Sequence, residues 1–457
     1  MDTRRRRSSR RAVRTAVASL AAVLTLVALS ATAYSRSDRA AAGKPGDYTL
    51  LSFQATGASA DWLKAEVGIF QKANPGVKVT IKNTNPTNIV QDLKTAIAGG
   101  KAPDMVQMLP GAASQQLWKA KKLLNLTPFI NKDAQWKGWT AGWKLVPNTQ
   151  YRDGASIYMA NETMGPMVIW YWKDQLAKAG YTAFPKDIEG LIALSKALRD
   201  KGLQPIAFGM SSKALFNFDY TFYTLLTNWD PGGKKGRLAG SGKYPWTSSE
   251  FKNAADLFKR LYDEGVFYDG ALEKSYDPDT KADFGSKKAA MAWPFGPWMA
   301  GYYPDSAVKN IGVALWPQLT KATPITLTSS NDVAYSLPVA TSAQRDPERQ
   351  ATMLALLKQF SSPRSQASLW SLGSYPVMPE VANKPSKSAW APVLKAQITA
   401  VKAAKFATDE NTYAPNTYEA LTNGLQALVL GQTTSDKLLK DVQAANRKDF
   451  ACAPTCK

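Results

Sequence analysis

Residues Ile69–Met108, IFQKANPGVKVTIKNTNPTNIVQDLKTAIAGGKAPDMVQM, hold most of a repeating α/β unit. Just ahead of them, Leu63, Val67 and Phe70 share one helical face, which predicts an amphipathic helix over 61–72. Asn74-Pro75-Gly76 ends it, because proline has no amide proton to donate and glycine accepts a positive φ. Val77, Val79 and Ile81 alternate with Lys78, Thr80 and Lys82, the period of a strand. Ile89, Leu93 and Ile97 return to helical spacing, and Gly99-Gly100 closes that helix. Pro103-Asp104 leads into the apolar run Met105–Leu109, a third strand after the one expected around Leu50–Phe53. Strand, helix, strand, helix, strand predicts parallel strands joined by right-handed crossovers.

Working outward, 457 residues with 45% hydrophobic and 20% charged content suit a globular chain of two or three domains. Residues 1–33 are expected to stand apart as an export signal. Arg4–Arg7, Arg10, Arg11 and Arg14 form a basic head, Val17–Ala31 is an apolar run, and Ala31-Thr32-Ala33 gives an A-x-A cleavage pattern. An apolar run of this length is short for a membrane span, and an uncleaved anchor is the alternative. Ser9-Arg10-Arg11-Ala12-Val13 is similar to a twin-arginine signal, so the export route stays open between two pathways. Residues 34–46 read as a linker and 452–457 as a tail. The protein is expected to be exported and extracellular or held at the cell surface.

Histidine is absent, which removes the usual general base and the commonest metal ligand. The two cysteines, Cys452 and Cys456, cannot complete a tetrahedral zinc site, and in an exported chain they are expected to close a small disulfide loop. No metal or other cofactor is expected. Beyond residue 33 the chain keeps 50 basic and 35 acidic residues, a net +15. The lysines are spread along predicted helices rather than gathered in a basic arm, so nucleic acid is not the expected partner. Such a surface tolerates, or is attracted to, anionic wall polymer or lipid headgroups. Residues Asp230–Trp246 are rich in glycine and lysine and read as an exposed excursion; no G-K-[ST] follows a strand there, so a phosphate loop is not expected.

Ligands of open parallel sheets sit beyond the carboxyl ends of the strands. Three small polar loops qualify: Gln54–Ser59 with Gln54 and Thr56, Asn83–Asn88 with Asn88, and Pro110–Gln115 with Gly111. Amides and hydroxyls there could serve hydroxyl recognition without net charge. Trp136, Trp139 and Trp143 fall on one helical face and read as packing.

The ordered set F-x-x-x-N-P-G-V-K-V (Phe70–Val79), a helix ending A-x-x-G-G (Ala96–Gly100) and A-P-D-M-V (Ala102–Val106) resembles the extracellular solute-binding proteins of ABC importers, in their carbohydrate-binding branch that includes maltose-binding protein. Leu123–Ile130 is similar to the family's L-x-D-L-T-P-x-I segment, with Asn125 in place of Asp. Gly165–Leu176, with Ala179-Gly180-Tyr181 and Pro185, resembles the crossing into a second lobe; Trp172 stands where Asn is usual, which puts that residue's hydrogen bond in doubt. Phe284–Met291 resembles F-x-x-G-K-A-A-M, ahead of Phe295-Gly296-Pro297-Trp298. Further on, Ser361–Gln366, Gly373–Pro376 and the terminal G-x-x-T of Gly431–Thr434 match other family segments.

The resemblance spans about Tyr48–Asn446. It implies a two-lobed periplasmic-binding-protein-like α/β fold with three hinge crossings and a ligand cleft between the lobes. The first lobe would hold 47–163 and 325–362, the second 164–324 and 363–451. It also implies that Trp298 of the G-P-W turn stacks on a sugar ring and that Tyr418 supplies another stacking aromatic, while Trp293 reads as core. Asn217 and Asp219, Asn331 in the return crossing and Tyr375 in the G-x-x-P turn complete the candidate contacts. The implied function is to hold a sugar or short oligosaccharide by hinge closure and to deliver it, as a monomer, to membrane permease subunits, with no covalent chemistry. The competing class is an exported carbohydrate-active enzyme using paired carboxylates, for which Glu162, Asp219 and Asp332 are available.

Overall fold

The computed structural model describes residues 43–450 apart from 85–87, 111, 138–151, 154–155, 212–214, 301, 321–322, 324–325, 379–380, 382–384, 405 and 409–413. The expected export signal, Gly111, Trp139, Trp143, Cys452 and Cys456 therefore lie outside the described residues.

The opening unit forms as its periodicity predicts. It runs β1 (Gly46–Ser52), α1 (Ala58–Ala73), β2 (Val77–Asn83), α2 (Ile89–Ala98), β3 (Met105–Met108) and α3 (Ala112–Lys119). Both β2 and β3 pair with β1 in parallel. Short pieces follow, α4 (Thr127–Ile130), β4 (Arg152–Asp153) and β5 (Ser156–Ile157), then β6 (Ala160–Pro166).

The chain next builds a second sheet and its helices: β7 (Val168–Trp172), α5 (Lys173–Lys178), α6 (Ile188–Asp200), β8 (Gln204–Ala207), α7 (Leu215–Leu226), α8 (Lys234–Gly240), α9 (Ser249–Asp263), α10 (Lys281–Gly285), β9 (Ala289–Phe295) and β10 (Ile311–Ala314). It returns through β11 (Thr326–Ser336) and ends with α11 (Pro347–Phe360), α12 (Pro363–Ser371), α13 (Ala391–Ala403), β12 (Phe406–Thr408), α14 (Pro415–Val429) and α15 (Ser435–Asp449).

Besides the antiparallel β4–β5 pair, two larger sheets form, and both are mixed. The first has the order β12-β11-β3-β1-β2, with β6 also on β11; the second has the order β10-β7-β9-β8. The parallel triplet belongs to the opening unit, while β11 lies antiparallel to β3 and to β6. Only Met167 separates β6 in one sheet from β7 in the other, so the Gly165-Pro166 segment lies where the chain changes sheets.

Two hydrophobic cores match the two sheets. The first holds Trp62, Phe70, Met105, Tyr335 and Phe360; the second holds Trp170, Phe208, Phe258, Trp293 and Trp316. Leu369, Trp370, Tyr375, Val377 and Val381 pack in the first core, although the sequence reading places residues after 362 in the second lobe. The reason is a specific anchor: the Trp62 indole Nε1 donates to the Ser365 carbonyl at 2.9 Å, fastening α12 to α1. Helix α13 touches both cores, Val393 in the second together with Trp390 just ahead of the helix, and Leu394 and Ile398 in the first; α14 and α15 pack in the second. Among the described residues no helix is long and apolar enough to cross a membrane.

The Asp230–Trp246 stretch corrects its sequence reading. Rather than an exposed excursion it folds as α8 against α7, with Gly236, Ala239 and Trp246 buried. Asp230 Oδ2 accepts from Gly236 N at 2.8 Å, and a Cβ on Gly236 would sit 2.8 Å from the Tyr223 ring, so glycine is what lets α8 approach. Gly-rich composition signalled close packing here, not solvent.

Lys235 of α8 pairs with Glu250 of α9, and this bond holds the Glu250 carboxyl down at about 2. A carboxyl depressed on folding stabilises the fold above its ordinary value of 4.5 and loses that contribution as the pH falls towards its folded value. Glu250→Gln is expected to cost about 1–2 kcal/mol at neutral pH, discounted from the ~3 kcal/mol of the full shift because Lys235 is partly solvated. In urea melts the gap between variant and parent should close as the pH is lowered from about 4.5 towards about 2; a constant gap would mean the carboxylate charge is not its source.

Candidate functional site

The first cluster of interest stands at the carboxyl ends of β1 and β3. Ser52 ends β1 and Gln107 lies in β3, and both are fully buried. Ser52 Oγ donates to Gln107 Oε1 at 2.6 Å and accepts from Gln54 N at 3.0 Å. Gln107 Nε2 lies 2.8 Å from Gln54 Oε1, 3.0 Å from Glu162 Oε2 and 3.0 Å from the Tyr335 hydroxyl. Tyr335 O–H in turn donates to Glu162 Oε2 at 2.5 Å. Burial, together with the adjoining Glu162 carboxyl, holds the Tyr335 phenol well above its ordinary range, so it stays protonated and donating.

This network joins β1, β3, β6 and β11 beneath the loop that carries Gln54. Because Gln107 donates to its Oε1, the Gln54 carboxamide is fixed with that oxygen inward, and Gln54 itself is half-buried. The sequence reading found Gln54 but missed Gln107 and Tyr335. A glutamine inside the otherwise apolar run M-V-Q-M was the available signal for Gln107.

The second cluster is aromatic and belongs to the second sheet's half of the molecule. Gly296-Pro297-Trp298 follows β9, and residues Pro297–Met299 form a single 3-10 turn against β6. The Trp298 ring lies over Gly296, where an added Cβ would fall 2.1 Å from it. Its Nε1 donates to the Tyr276 hydroxyl at 3.2 Å. Tyr276 meets Phe216 edge-on at 5.1 Å, and Phe216 meets Tyr220 edge-on at 5.9 Å. Trp298, Phe216 and Tyr220 are all half-buried, with ring surface left over after packing.

Lys281 Nζ sits 4.1 Å from the centroid of exposed Tyr302 and 5.3 Å from that of Tyr276, and it pairs with Asp277 at 2.7 Å. This cation beside the aromatic cluster is thus matched by a carboxylate. Helix α7, which carries Phe216 and Tyr220, approaches β11, and Ala300 packs against both cores. The aromatic cluster therefore stands where the two halves meet.

The other expected ligand residues divide. Tyr418 is half-buried on α14, which packs along α7. Thr56 and Asn88 are exposed in the loops after β1 and β2. Asn217 and Asp219 are fully buried within α7; Asn217 Nδ2 donates to the Gly209 carbonyl at 2.7 Å. Tyr375 is 3% exposed in the first core, and burial pushes its phenol up to about 12. The backbone of Asn331 pairs with that of Met164 in β6, and its side chain, like that of Asp332, lies outside the described residues.

Trp172, standing where Asn was expected, supplies packing of its own: Nε1 donates to the Phe284 carbonyl at 2.8 Å, and the two rings stack at 5.2 Å. Of the carboxylates weighed for hydrolysis, Glu162 is tied into the first-core network and Asp219 lies in the second core's helix α7. Chemically, the two clusters offer stacking surface together with neutral amide and hydroxyl groups. Such a set suits an uncharged molecule with apolar faces and hydroxyl edges.

Comparison with known proteins bears on the family and the fold. Residues 67–397 match the family model of the bacterial extracellular solute-binding protein. No curated protein matches the sequence. Among solved structures, a chitin oligosaccharide binding protein superposes with a TM-score of 0.75 at 21% identity, covering 90% of this chain and 100% of its own. The unliganded and acarbose-bound GacH receptor of Streptomyces glaucescens gives 0.70 at 18% identity, covering 89% and 99%. The maltose/maltodextrin-binding domain of Bdellovibrio bacteriovorus bound to maltotriose gives 0.68 at 16% identity, covering 89% and 100%. The family and these structural relatives are binding proteins, and hydrolysis finds no support among them. The chain belongs to the bacterial extracellular solute-binding protein family.

Proposed function

We propose that the chain is the extracytoplasmic binding component of an ABC importer, taking a sugar or short oligosaccharide between its lobes and delivering it to a membrane permease by hinge closure. The observation that carries this reading is the half-buried Trp298 ring, set on Gly296 and steered by Tyr276, where the two halves of the chain meet. A pyranose presents an apolar C–H face to such a ring and its hydroxyls to amides such as that of Gln54. The structural relatives named above bind chitin oligosaccharide, acarbose or maltotriose, which supports the same ligand class.

On this reading the lobes are the two core-bearing halves, and closure rotates them about the strands where the chain changes sheets. Residues 1–33 serve as the export signal, and the protein acts as a monomer without a cofactor. Besides Trp298, we assign ligand contact to Gln54 and Tyr418, with Phe216, Tyr220 and Tyr276 as supporting aromatics.

Thermal unfolding against a panel of mono- and oligosaccharides tests the reading. A ligand that binds only the folded chain stabilises it by RT ln(1 + [L]/Kd), about 2.7 kcal/mol at a hundredfold excess over Kd. One saturable rise in Tm is expected, and Trp298→Ala should weaken that binding by about tenfold or more, the stacking geometry alone accounting for ~0.5–1.5 kcal/mol. A panel without any shift would remove the carbohydrate assignment.

A subtler variant separates the ring's position from its presence. Gly296→Ala must displace the Trp298 ring, since its Cβ would lie 2.1 Å away, but the backbone at residue 296 is extended and accepts alanine. The variant is expected to fold with a Tm close to that of the parent and to bind the same sugar several-fold more weakly. Unchanged affinity would show that the ring does not touch the ligand.

A further inference from the structure

The fold gathers cations that the sequence keeps apart. Helix α3 ends at Lys119, and Lys121 leaves it with a φ of 56°, a left-handed turn that carries the chain on to Lys122. Lys122 O accepts from Val339 N at 2.9 Å, and Leu123 bridges to Pro338. Arg345 reaches back to the Val339 carbonyl at 3.5 Å. Its neighbour Gln344 donates to the Pro103 carbonyl at 2.5 Å, which brings in Lys101 two residues earlier. Lys101, Lys119, Lys121, Lys122 and Arg345 are all exposed, and none forms an ion pair among the described residues. The adjacent carboxylates are engaged elsewhere, Asp104 by Arg349 and both Asp346 and Glu348 by Lys44.

The position of this patch is as telling as its charge. Lys101 precedes β3, and Lys122 and Val339 meet beyond the end of β11 that pairs with the start of β3. All five cations therefore lie at the amino ends of the parallel strands, opposite the loops that carry Gln54 and Asn88. Five such charges at one end of a lobe create a field that attracts a polyanion and is screened by salt.

We infer that this patch is a binding site for a flexible phosphate- or phosphodiester-bearing polymer. A membrane is the less fitting anionic partner, because the patch faces away from the end that holds the ligand loops; that choice rests on the proposed delivery to a membrane permease. A polymer held at the back of the lobe would keep the protein at the cell surface and leave the ligand side free.

The test uses the exported protein and labelled long-chain inorganic polyphosphate, with binding read by anisotropy over a salt series. The parent is expected to bind saturably, more weakly as salt rises. Lys119→Glu/Lys121→Glu/Lys122→Glu should raise Kd at least about tenfold, since each phosphate that the chain no longer neutralises keeps its condensed counterion. A control of equal charge change in the other half, Lys178→Glu/Lys186→Glu/Lys201→Glu, should stay within about threefold of the parent. A patch variant with a lowered melting temperature would be replaced by its Lys→Gln counterpart, for which the same order is expected. Equal losses in patch and control would overturn the site in favour of diffuse charge, and absence of polyphosphate binding by the parent would overturn it outright. Tighter, patch-dependent binding to phosphatidylglycerol vesicles would replace the polymer with a membrane. The sugar-induced Tm shift, measured on the same variants, should be unchanged, so this inference and the carbohydrate reading fail separately.

Discussion

A buried carboxyl group must find donors, and the way Glu162 finds them shapes the first half of this molecule. It is fully buried, and Tyr335 and Gln107 supply hydrogen bonds to its Oε2. Those two residues come from β11 and β3, and Glu162 from β6, so one shared acceptor oxygen ties three strands together. Strand β11 pairs with β3, β6 and β12 together, and β6 and β11 are also the strands by which the chain leaves and re-enters the first sheet. Removing one hydrogen-bond partner of such a buried group costs about 1–3 kcal/mol by general experience. Here the loss would fall on the strands that link the two halves.

A second constraint works on the same core from its other end. Asp104 accepts from Thr49 N at 2.8 Å and holds Arg349 through the Nε–Nη2 edge of its guanidinium, while Arg349 lies 4.3 Å over the Tyr48 ring. Strands β1 and β3 and helix α11 are thereby pinned at the amino ends of the strands, with the Glu162 network pinning their carboxyl ends. The opening of β1 is set by an ion pair and its close by a buried hydrogen-bond network. That division suits an end that carries free cations and an opposite end that carries uncharged, hydroxyl-seeking groups.

Much of the α/β order was legible because its signals are local. The alternation of Val77–Ile81 and the helical spacing of Ile89–Ile97 each predict an element from a few neighbouring residues, and the structure has them with small shifts in their ends. The G-P-W turn was likewise readable as a landmark. What stayed hidden depends on partners far along the chain. Gln107 meets Tyr335 across 228 positions, and nothing near M-V-Q-M announces it. Tyr276, which orients Trp298, sits in a stretch with no helical or strand period. Helix α12 has an amphipathic pattern that fits either core; the bond from Trp62 to Ser365, 303 positions away, decides between them. Glycines misled as well, since those of α8 permit close packing rather than exposure.

The uneven burial of tryptophan has an optical consequence. Of the described tryptophans, Trp62, Trp118, Trp136, Trp170, Trp172, Trp246, Trp293, Trp316, Trp370 and Trp390 are nearly or wholly enclosed, whereas Trp229 and Trp298 keep contact with solvent. Among these indoles, sensitivity of the emission to added quencher and to solvent polarity is concentrated in two rings, one of them resting on Gly296 where the halves meet. Trp298 is thus a spectroscopic reporter in place, set against emission from the enclosed indoles that added quencher barely alters.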